Sequence, residues 1–488
     1  MSLETLHIHE VGQIKEIRSC VAKITGISHC INGGLLEITP KTKAMILGFV
    51  KDEASVLLLG ATDDVKVGDK VYSKQQAFNV RVGPGYVGRI VNALAEPMDA
   101  KREQIACDGE YFLFREAPSL LQRVPLTEAL ETGILIIDSC IPIGKGQREL
   151  IVGDRMLGKS SICTDAIINQ KGKDVICIYC CIGRSYSTLE RIVQTLKKHQ
   201  ALDYSIIVSA TASSSVGEQY LAPYMACTLG EYFMDKGRDV LVIFDDLSKH
   251  AWAYRQISLL LERSPGRDTY PGDVFYLHSQ LMERAGRYSP EFGSGTMTFL
   301  PIVETIQGDI TGYIPSNLVS MTDGQIYLNQ VLFSTGIKPA VDLGLSVSRI
   351  GNKVQCLAMR QLSGMLRLEY IQYQESLKIA KLKTGASDEF TQRLRRGEAI
   401  TQIFKQRKDR PYTLLEELFL LYALRNNFLD VLTPLQVEDF ILNINDFAQE
   451  KYPLLIDGLL THKALTPEIT QAMYDCLAAF FKEESDVK

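Results

Sequence analysis

A strand, a glycine-rich loop and a helix follow one another in the segment ELIVGDRMLGKSSICTDAIINQ, which spans residues 149–170. Its centre, GDRMLGKS, has two glycines separated by four residues and followed by lysine and serine. Apolar residues before the loop predict a strand over 149–152, and those after it predict a helix with one apolar side. This feature restricts the fold most, because such a loop serves phosphate binding only between a strand and a helix.

The composition of the loop predicts a nucleotide site. Gly153 and Gly158 allow successive backbone N–H groups to face one anion, and the start of the helix adds its positive end. Lys159 brings a positive charge to the outer phosphates, and Ser160 offers a hydroxyl to Mg²⁺. We therefore predict ATP or ADP as the ligand, bound by Gly153, Asp154, Arg155, Met156, Leu157, Gly158, Lys159, Ser160 and Ser161.

A second segment, DVLVIFDDLSKH at 239–250, supports this prediction. Its apolar run indicates a buried strand that ends in Asp245 and Asp246. A carboxylate at the carboxyl end of a sheet strand can bind magnesium directly or through water. We assign Asp245, together with Ser160, to Mg²⁺, and Asp246 either to contacts that support the metal ligands or to contacts of the loop.

Three regions of different pattern succeed one another along the chain. Its 488 residues exceed the ~250–300 residues over which a single core grows, so several domains are expected. Residues 1–72 alternate short strands with turns, which predicts a small β-barrel or sandwich. Residues 73–355 alternate strands with helices, which predicts an α/β domain with a mostly parallel sheet. Residues 356–488 have helical periodicity, so the predicted fold is a multidomain α/β protein with a C-terminal helical domain.

Composition excludes several classes of protein. A net charge of −5 without a long basic block argues against a nucleic-acid or anionic-membrane surface. No stretch reaches the ~18 apolar residues of a membrane span, so any membrane role must act through partners. Eleven cysteines without regular spacing argue against a disulfide framework. The densest group, Cys177, Cys180 and Cys181, lies in an apolar run, which favours a buried strand over a metal site.

Helix start signals are frequent in the C-terminal region. Thr413 with Glu416 and Thr433 with Gln436 have capping-box spacing, and Thr466 precedes a proline at a first helical position. The same spacing, Ser187 with Glu190, predicts a further capping box in the α/β region.

Several segments together resemble the alpha subunit of the F-type rotary ATP synthases. They include VGDRMLGKSS, FDDLSKHAWAYRQ, GYIPSNLVSMTDGQI and PAVDLGLSVSRIG. The last contains the signature shared by alpha and beta subunits, whereas residues 244–256 look like alpha. The resemblance implies an N-terminal β-barrel, a P-loop domain and a helical domain. It also implies partners: beta subunits in an alternating hexamer, a central-stalk gamma subunit and peripheral-stalk subunits. The location would be peripheral, at the cytoplasmic face of the plasma membrane.

The resemblance also implies which site performs chemistry. Catalytic relatives have a glutamate after the glycine that ends the next core strand, whereas this chain has Arg184. A site without that water-polarising carboxylate is expected to bind ATP and not cut it. Arg184 would pair with a phosphate or with a neighbouring carboxylate. The arginine of the SVSR segment, Arg349, is expected to reach the neighbouring beta site, with Ser346 shaping that segment.

Three departures from the family pattern affect binding and assembly. Met156 and Leu157 replace a Gln-Thr pair of the loop, which predicts weaker nucleotide binding. In the region that holds the base, Gln406 matches the family and Lys408 does not. The barrel is expected only about ten residues after Met1, where relatives carry an extra helical segment. This predicts either a different stator contact or a divergent, alternative version of the enzyme.

Two other functions compete with this interpretation. One is a self-sufficient ring ATPase of the secretion-export or RNA-translocase type, which would need a catalytic glutamate in every chain. The other is a scaffold that no longer binds nucleotide, against which Lys159, Ser160 and Asp245 argue. We therefore expect a non-catalytic subunit of an ion-translocating ATP synthase that couples ATP synthesis or hydrolysis to proton or sodium flow.

Overall fold

The computed structural model describes residues 10–29, 31–40, 42–60, 62, 64–99, 103–380, 388–429 and 432–486. Its first strands close into a barrel in the order β1-β2-β5-β4-β3-β6. Side chains alternate between buried and half-buried along β3, as expected where one face of a strand lines a barrel core. The strands are β1 (Glu10–Arg18), β2 (Val21–Thr25), β3 (Gly34–Thr39), β4 (Thr42–Val50), β5 (Glu53–Gly60) and β6 (Lys70–Ala77).

Strands and helices alternate in the central part of the chain. In order these elements are β7 (Asn79–Val82), β8 (Ile90–Asn92), β9 (Gly109–Phe112), α1 (Leu135–Cys140), β10 (Glu149–Gly153), α2 (Lys159–Ile168), β11 (Val175–Ile182), α3 (Tyr186–Lys198), β12 (Ser205–Ala210), α4 (Val216–Asp235), β13 (Asp239–Asp245), α5 (Leu247–Leu260), α6 (Val274–Met282), β14 (Gly286–Arg287), β15 (Thr296–Glu304), α7 (Tyr313–Met321), β16 (Gly324–Leu328), α8 (Gln330–Ser334) and β17 (Val347–Ser348).

The C-terminal part of the chain is helical. Its helices are α9 (Leu357–Ser363), α10 (Leu366–Ala380), α11 (Asp388–Phe404), α12 (Leu414–Arg425), α13 (Pro434–Lys451), α14 (Pro453–His462) and α15 (Pro467–Asp486). The predicted fold class, with an N-terminal barrel, a mostly parallel α/β sheet and a helical C-terminal domain, is confirmed.

The chain forms two compact units. The first comprises Met1–Pro125, Gly172–Glu304 and Ile310–Thr322, and the second comprises Leu126–Lys171, Thr305–Asp309 and Asp323–Lys488. The sequence-based boundaries at 72 and 355 stay predictions. Strand β6 extends beyond the first of them, to Ala77.

A parallel sheet forms the centre of the first unit, in the order β15-β13-β11-β12-β8. Every residue of β11 is buried, as expected for a strand covered on both faces. Helix α4 packs against β11, β12 and β13, and α5 packs against β11 and β15. Cys177, Cys180 and Cys181 lie within β11, where burial raises the pKa of the Cys181 thiol to about 12.

In the second unit β10 pairs in parallel with β16, and β17 pairs antiparallel with β16. The helix α2 follows β10, and the helices α9–α15 belong to the same unit. No helix among the described residues is both long and apolar enough to cross a membrane.

The predicted C-terminal helix starts are confirmed. The side chains of Thr413 and Thr433 accept hydrogen bonds from the N–H groups of Glu416 and Gln436, in complete capping boxes. Helix α15 begins at Pro467, directly after Thr466.

The capping box predicted at Ser187 and Glu190 is wrong. Helix α3 begins at Tyr186, and its N-cap is Ser185, whose hydroxyl accepts from the N–H of Thr188. Strand β11 ends at Ile182, which leaves room for the helix to begin two residues earlier than the Ser187 spacing suggests. Glu190 lies exposed on the first half of α3 and accepts a hydrogen bond from Gln194.

Candidate functional site

The glycine loop connects β10 to α2 in the second unit, as the sequence predicts. Gly158 caps α2 in the left-handed region, with a φ of 94°, which a residue without Cβ adopts at little cost. A glycine at the cap has no side chain that could occupy the first N–H groups of α2, and a helix start of this kind is suited to binding an anion. This arrangement fits the phosphates of a nucleotide.

Lys159, the first residue of α2, is buried with its amine turned into the loop. Its Nζ donates to the carbonyl of Gly153 at 2.7 Å and to that of Asp154 at 2.5 Å. The amine is therefore held among backbone oxygens of the glycine loop. From there its charge is available to an anion in the same loop.

The loop carries a support that the sequence did not reveal. Asp154 Oδ1 accepts a hydrogen bond from the hydroxyl of Thr305 at 2.6 Å and one from the N–H of Gly308 at 2.9 Å. The Thr305 N–H also donates to the carbonyl of Gly153. Thr305 lies about 150 residues farther along the chain, so no local spacing could point to it.

The two spacer positions that depart from the family differ in environment. The Met156 side chain is almost fully exposed, and its backbone has a φ of 64°. The Leu157 side chain is buried. Thus one apolar replacement packs into the protein, and the other adds an exposed apolar surface to the loop.

Arg184 is surrounded by carboxylates in the first unit. Its Nε and Nη2 donate to Asp245 Oδ1 at 2.8 and 2.5 Å, and Nη1 donates to Glu304 at 2.9 Å. Nη2 also forms an ion pair with Asp246 at 3.0 Å. All three guanidinium nitrogens therefore contact carboxylates. Of the two partners considered for Arg184, a phosphate and a neighbouring carboxylate, the structure shows the carboxylate.

The order of the strands explains why Arg184 and the three carboxylates lie close together. Asp245 ends β13, Glu304 ends β15, and Arg184 follows the end of β11 by two residues. Because these strands are adjacent and parallel, their carboxyl ends lie at one edge of the sheet. Tyr179, on β11, donates its hydroxyl to Asp245 Oδ2.

The contacts of Asp245 do not fit a magnesium ligand. Oδ1 accepts two hydrogen bonds from a guanidinium, and Oδ2 accepts one from a phenol. A carboxylate that binds a divalent cation presents its oxygens to that cation, and a guanidinium on the same group repels it. Among the described residues, no group of three or more His, Cys, Asp and Glu side chains is arranged to hold a metal.

Asp246 contacts the backbone at the start of the next helix. It is the N-cap of α5, and its Oδ1 accepts from the N–H of Lys249 at 2.9 Å. Burial raises the pKa of Asp246 to about 7, although the Arg184 charge acts in the opposite direction.

Hydrogen bonds at Ser346 hold the SVSR segment in place. Ser346 is buried, and its hydroxyl donates to the carbonyl of Asp342 at 2.6 Å and accepts from the N–H of Tyr327 at 2.9 Å. Arg367, which the sequence did not single out, donates to the carbonyl of Ser346 at 2.6 Å. Ser346 therefore positions the backbone. Arg349 is exposed, with its own N–H bonded to the carbonyl of Asp323.

Gln406 is half-buried at a cavity of about 330 Å³. Its amide nitrogen donates to the carbonyls of Gly133 and Arg410, at 2.7 and 3.0 Å, so the side chain is fixed by backbone. Lys408 is exposed. The cavity is rich in cationic side chains, and it is lined by Gly336, Lys338, Gln402, Lys405, Gln406, Arg407, Arg410, Tyr412, Val437, Glu438 and Ile441.

Helix α2 is tied to the segment after Gln406. Asp165, on α2, accepts a hydrogen bond from the N–H of Asp409 at 2.9 Å. Burial raises the pKa of Asp165 to about 7, and the positive charge of Lys408 acts against this increase. The helix that begins with Lys159 and the segment that carries Gln406 are thus linked within the second unit.

Family models match most of the chain. The model described as the ATP synthase alpha/beta family, beta-barrel domain, matches residues 9–74. The nucleotide-binding domain of the same family matches residues 133–348, and the ATP synthase alpha/beta chain, C terminal domain, matches residues 355–480.

Curated relatives are similar over nearly the whole chain. The ATP synthase subunit alpha of Clostridium botulinum (strain Langeland) is 45% identical over 468 residues, which cover 96% of this chain and 92% of the relative. The ATP synthase subunit alpha of Caldanaerobacter subterraneus subsp. tengcongensis is 45% identical over 472 residues, which cover 97% and 92%.

Proposed function

The chain belongs to the ATP synthase alpha/beta family, and from this premise we propose that it is the non-catalytic, nucleotide-binding alpha subunit of the catalytic head of a rotary ATP synthase. Its glycine loop holds the phosphates of ATP or ADP through backbone N–H groups and Lys159. Gln406 belongs to the base-binding region. The site retains its nucleotide without turning it over.

One observation carries the non-catalytic part of this proposal. The position at which catalytic relatives have a glutamate holds Arg184, and that guanidinium engages the carboxylates of Asp245 and Glu304. Hydrolysis requires a group that orients and polarises the attacking water. An arginine remains protonated and cannot accept a proton from water. The two nearby carboxylates are already paired with it.

The contribution of this subunit to chemistry lies in a neighbouring subunit. Arg349 reaches the phosphates of an adjacent catalytic beta site, where a planar, permanently charged guanidinium stabilises charge that develops during phosphoryl transfer. The exposure of Arg349 and the backbone anchoring of its segment through Ser346 support this role.

Partners and location follow from the same proposal. Beta subunits alternate with this chain in a hexamer around a gamma subunit, and peripheral-stalk subunits hold the head. The complex couples ATP synthesis or hydrolysis to proton or sodium flow. It lies at the cytoplasmic face of the plasma membrane, with indirect membrane contact. A self-sufficient ring ATPase is less well supported, because it needs a catalytic glutamate where Arg184 stands.

Nucleotide binding and turnover of the purified full chain test this proposal. We expect ATP to bind, measured by equilibrium dialysis with labelled nucleotide, and phosphate release to be negligible. Lys159→Ala should weaken binding at least about tenfold, because a charge at the phosphates is lost. Lys198→Ala, an exposed lysine at the end of α3, is the control and should bind normally. Sustained phosphate release by the purified chain would contradict the non-catalytic role. Unchanged affinity of Lys159→Ala would contradict the assigned nucleotide site.

A further inference from the structure

A hydrogen-bond network within the second unit holds the segment that carries Arg349. The Ser348 hydroxyl donates to the carbonyl of Pro142 at 2.9 Å and accepts from the N–H of Gly351 at 3.2 Å. The bond to Gly351 spans residues 348–351, so Arg349 lies inside the loop that this bond closes. The hydroxyl therefore holds the backbone on both sides of Arg349.

Gln147 contacts both this hydroxyl and a buried carboxyl. Its Nε2 donates to Glu149 Oε2 at 2.7 Å and to Ser348 Oγ at 3.4 Å. Its Oε1 accepts from the N–H of Gly144 at 2.7 Å, so both ends of the amide are fixed. Together with the two backbone bonds, the contact with Gln147 uses the one donor and two acceptor positions of the Ser348 hydroxyl.

The register of three strands places Glu149 close to this network. Strand β10 pairs Glu149 with Gly324 of β16, and β16 pairs Gly324 with Ser348 of β17. A Cβ at Gly324 would collide with the Glu149 carboxyl and with the carbonyl oxygen of Val347. The glycine therefore leaves room for the carboxyl beside β17.

The Glu149 carboxyl is fully buried, and its surroundings favour the neutral form. Burial and the charge of Asp323 raise the pKa of Glu149, against the hydrogen bond from Gln147 and the charge of Arg349. Its Oε1 has no hydrogen-bond partner among the described residues. A polar group is costly to bury for packing alone, and the hydrogen bond that Glu149 does form goes to Gln147.

We propose that Glu149 is a positioning residue for Arg349. It orients Gln147, whose amide holds the Ser348 hydroxyl and with it the loop that presents the guanidinium. The proposal rests on the proposed action of Arg349 at a neighbouring catalytic site. A displacement of about 1 Å can cost ~10²-fold in rate, so loss of this support should slow turnover although the guanidinium is still present.

The test measures ATP turnover by assembled complexes that contain variants of this chain. Glu149→Ala should lower kcat at least about tenfold and leave KM within about twofold, because the arginine acts on the transition state. Glu149→Gln is neutral, has nearly the same shape and still accepts from Gln147, so its kcat should stay within about threefold of the wild type. Gln147→Met keeps most of the volume but removes the amide, and it should resemble Glu149→Ala.

The same substitution in an Arg349→Lys complex separates positioning from a general structural role. There Glu149→Ala should lower kcat by less than about twofold further, because the planar guanidinium that it positions is absent. Glu417→Ala is the control for truncation of a buried glutamate in the same unit, on α12. It should leave kcat per assembled complex unchanged.

Wild-type kcat in Glu149→Ala would overturn the inference. So would an equal loss in the Arg349→Lys background, a loss in Glu149→Gln as large as that in Glu149→Ala, or an equal loss in the Glu417→Ala control. Should Glu149→Ala not assemble, Gln147→Met decides by the same criteria. An Arg349→Lys complex that turns over ATP at the full wild-type rate would instead contradict the proposed function.

Discussion

Asp165 contacts the segment next to the proposed base-binding region, and its raised pKa should make the stability of the protein depend on pH. It lies on α2, and burial raises its pKa to about 7 although it accepts a hydrogen bond from Asp409. In the unfolded chain the carboxyl ionises near pH 4. Its stabilising contribution is therefore fully present below that pH and is lost as the pH rises through 7.

Replacement of Asp165 by asparagine tests this pH dependence. The amide oxygen can still accept from the N–H of Asp409, and no buried charge has to form. We expect Asp165→Asn to melt a few degrees above the wild type at pH 8 and close to it at pH 4, as measured by scanning calorimetry. Asp457→Asn, at an exposed position of α14, is the control. A variant that is destabilised equally at both pH values would contradict the assignment.

Single residues differ in how far the sequence could predict them. The positions of Gly158 and Lys159 at the start of α2 and of Asp245 at the end of β13 were predictable, because they follow from the pattern along one segment. The partners of Asp245 were not. Tyr179 reaches it, and Glu304 shares Arg184 with it, only because β11, β13 and β15 are neighbours in the sheet, and strand order is a property of the tertiary fold. For the same reason, the sequence left the partner of Arg184 open between a phosphate and a carboxylate.

At the scale of elements, the start of α3 shows what local signals cannot resolve. Two serines compete for the cap, and the glutamate three residues after Ser187 favours that position in the sequence. The structure instead uses Ser185, whose hydroxyl accepts from the N–H of Thr188 at 3.4 Å. The carboxyl end of β11 fixes where the chain turns, and the helix starts as soon as the turn allows.

The two serines provide a matched pair of variants. Ser185→Ala removes the acceptor for the N–H of Thr188 and should destabilise the first turn of α3 by ~1 kcal/mol. Ser187→Ala should have a smaller effect, since among the described residues the Ser187 hydroxyl forms a hydrogen bond only with that of Ser185. Hydrogen exchange of the amides at the start of α3 measures the difference. A larger loss of protection in Ser187→Ala than in Ser185→Ala would show that Ser187 caps the helix, as the sequence predicts.

At the scale of the whole molecule, the fold class was predictable because the hydrophobic pattern changes twice along the chain. Short strands give way to alternating strands and helices, and these give way to helical periodicity. The division into two compact units was not predictable. The segment Leu126–Lys171, which carries the glycine loop, groups with the C-terminal helices, whereas Gly172–Glu304 groups with the barrel. Only contacts between residues far apart in the chain determine that grouping.

The role that we propose for Arg349 requires a neighbouring subunit, so its prediction concerns the complete complex. A trans-acting arginine can contribute ~10³–10⁵ to the rate of phosphoryl transfer. We expect Arg349→Ala to abolish multisite ATP turnover while the complex still assembles with normal subunit stoichiometry. Arg349→Lys should recover only part of the rate, because an ammonium lacks the planar fork. Lys353→Ala, exposed in the same segment, is the control. Normal turnover by an Arg349→Ala complex would show that the guanidinium does not act on the neighbouring site.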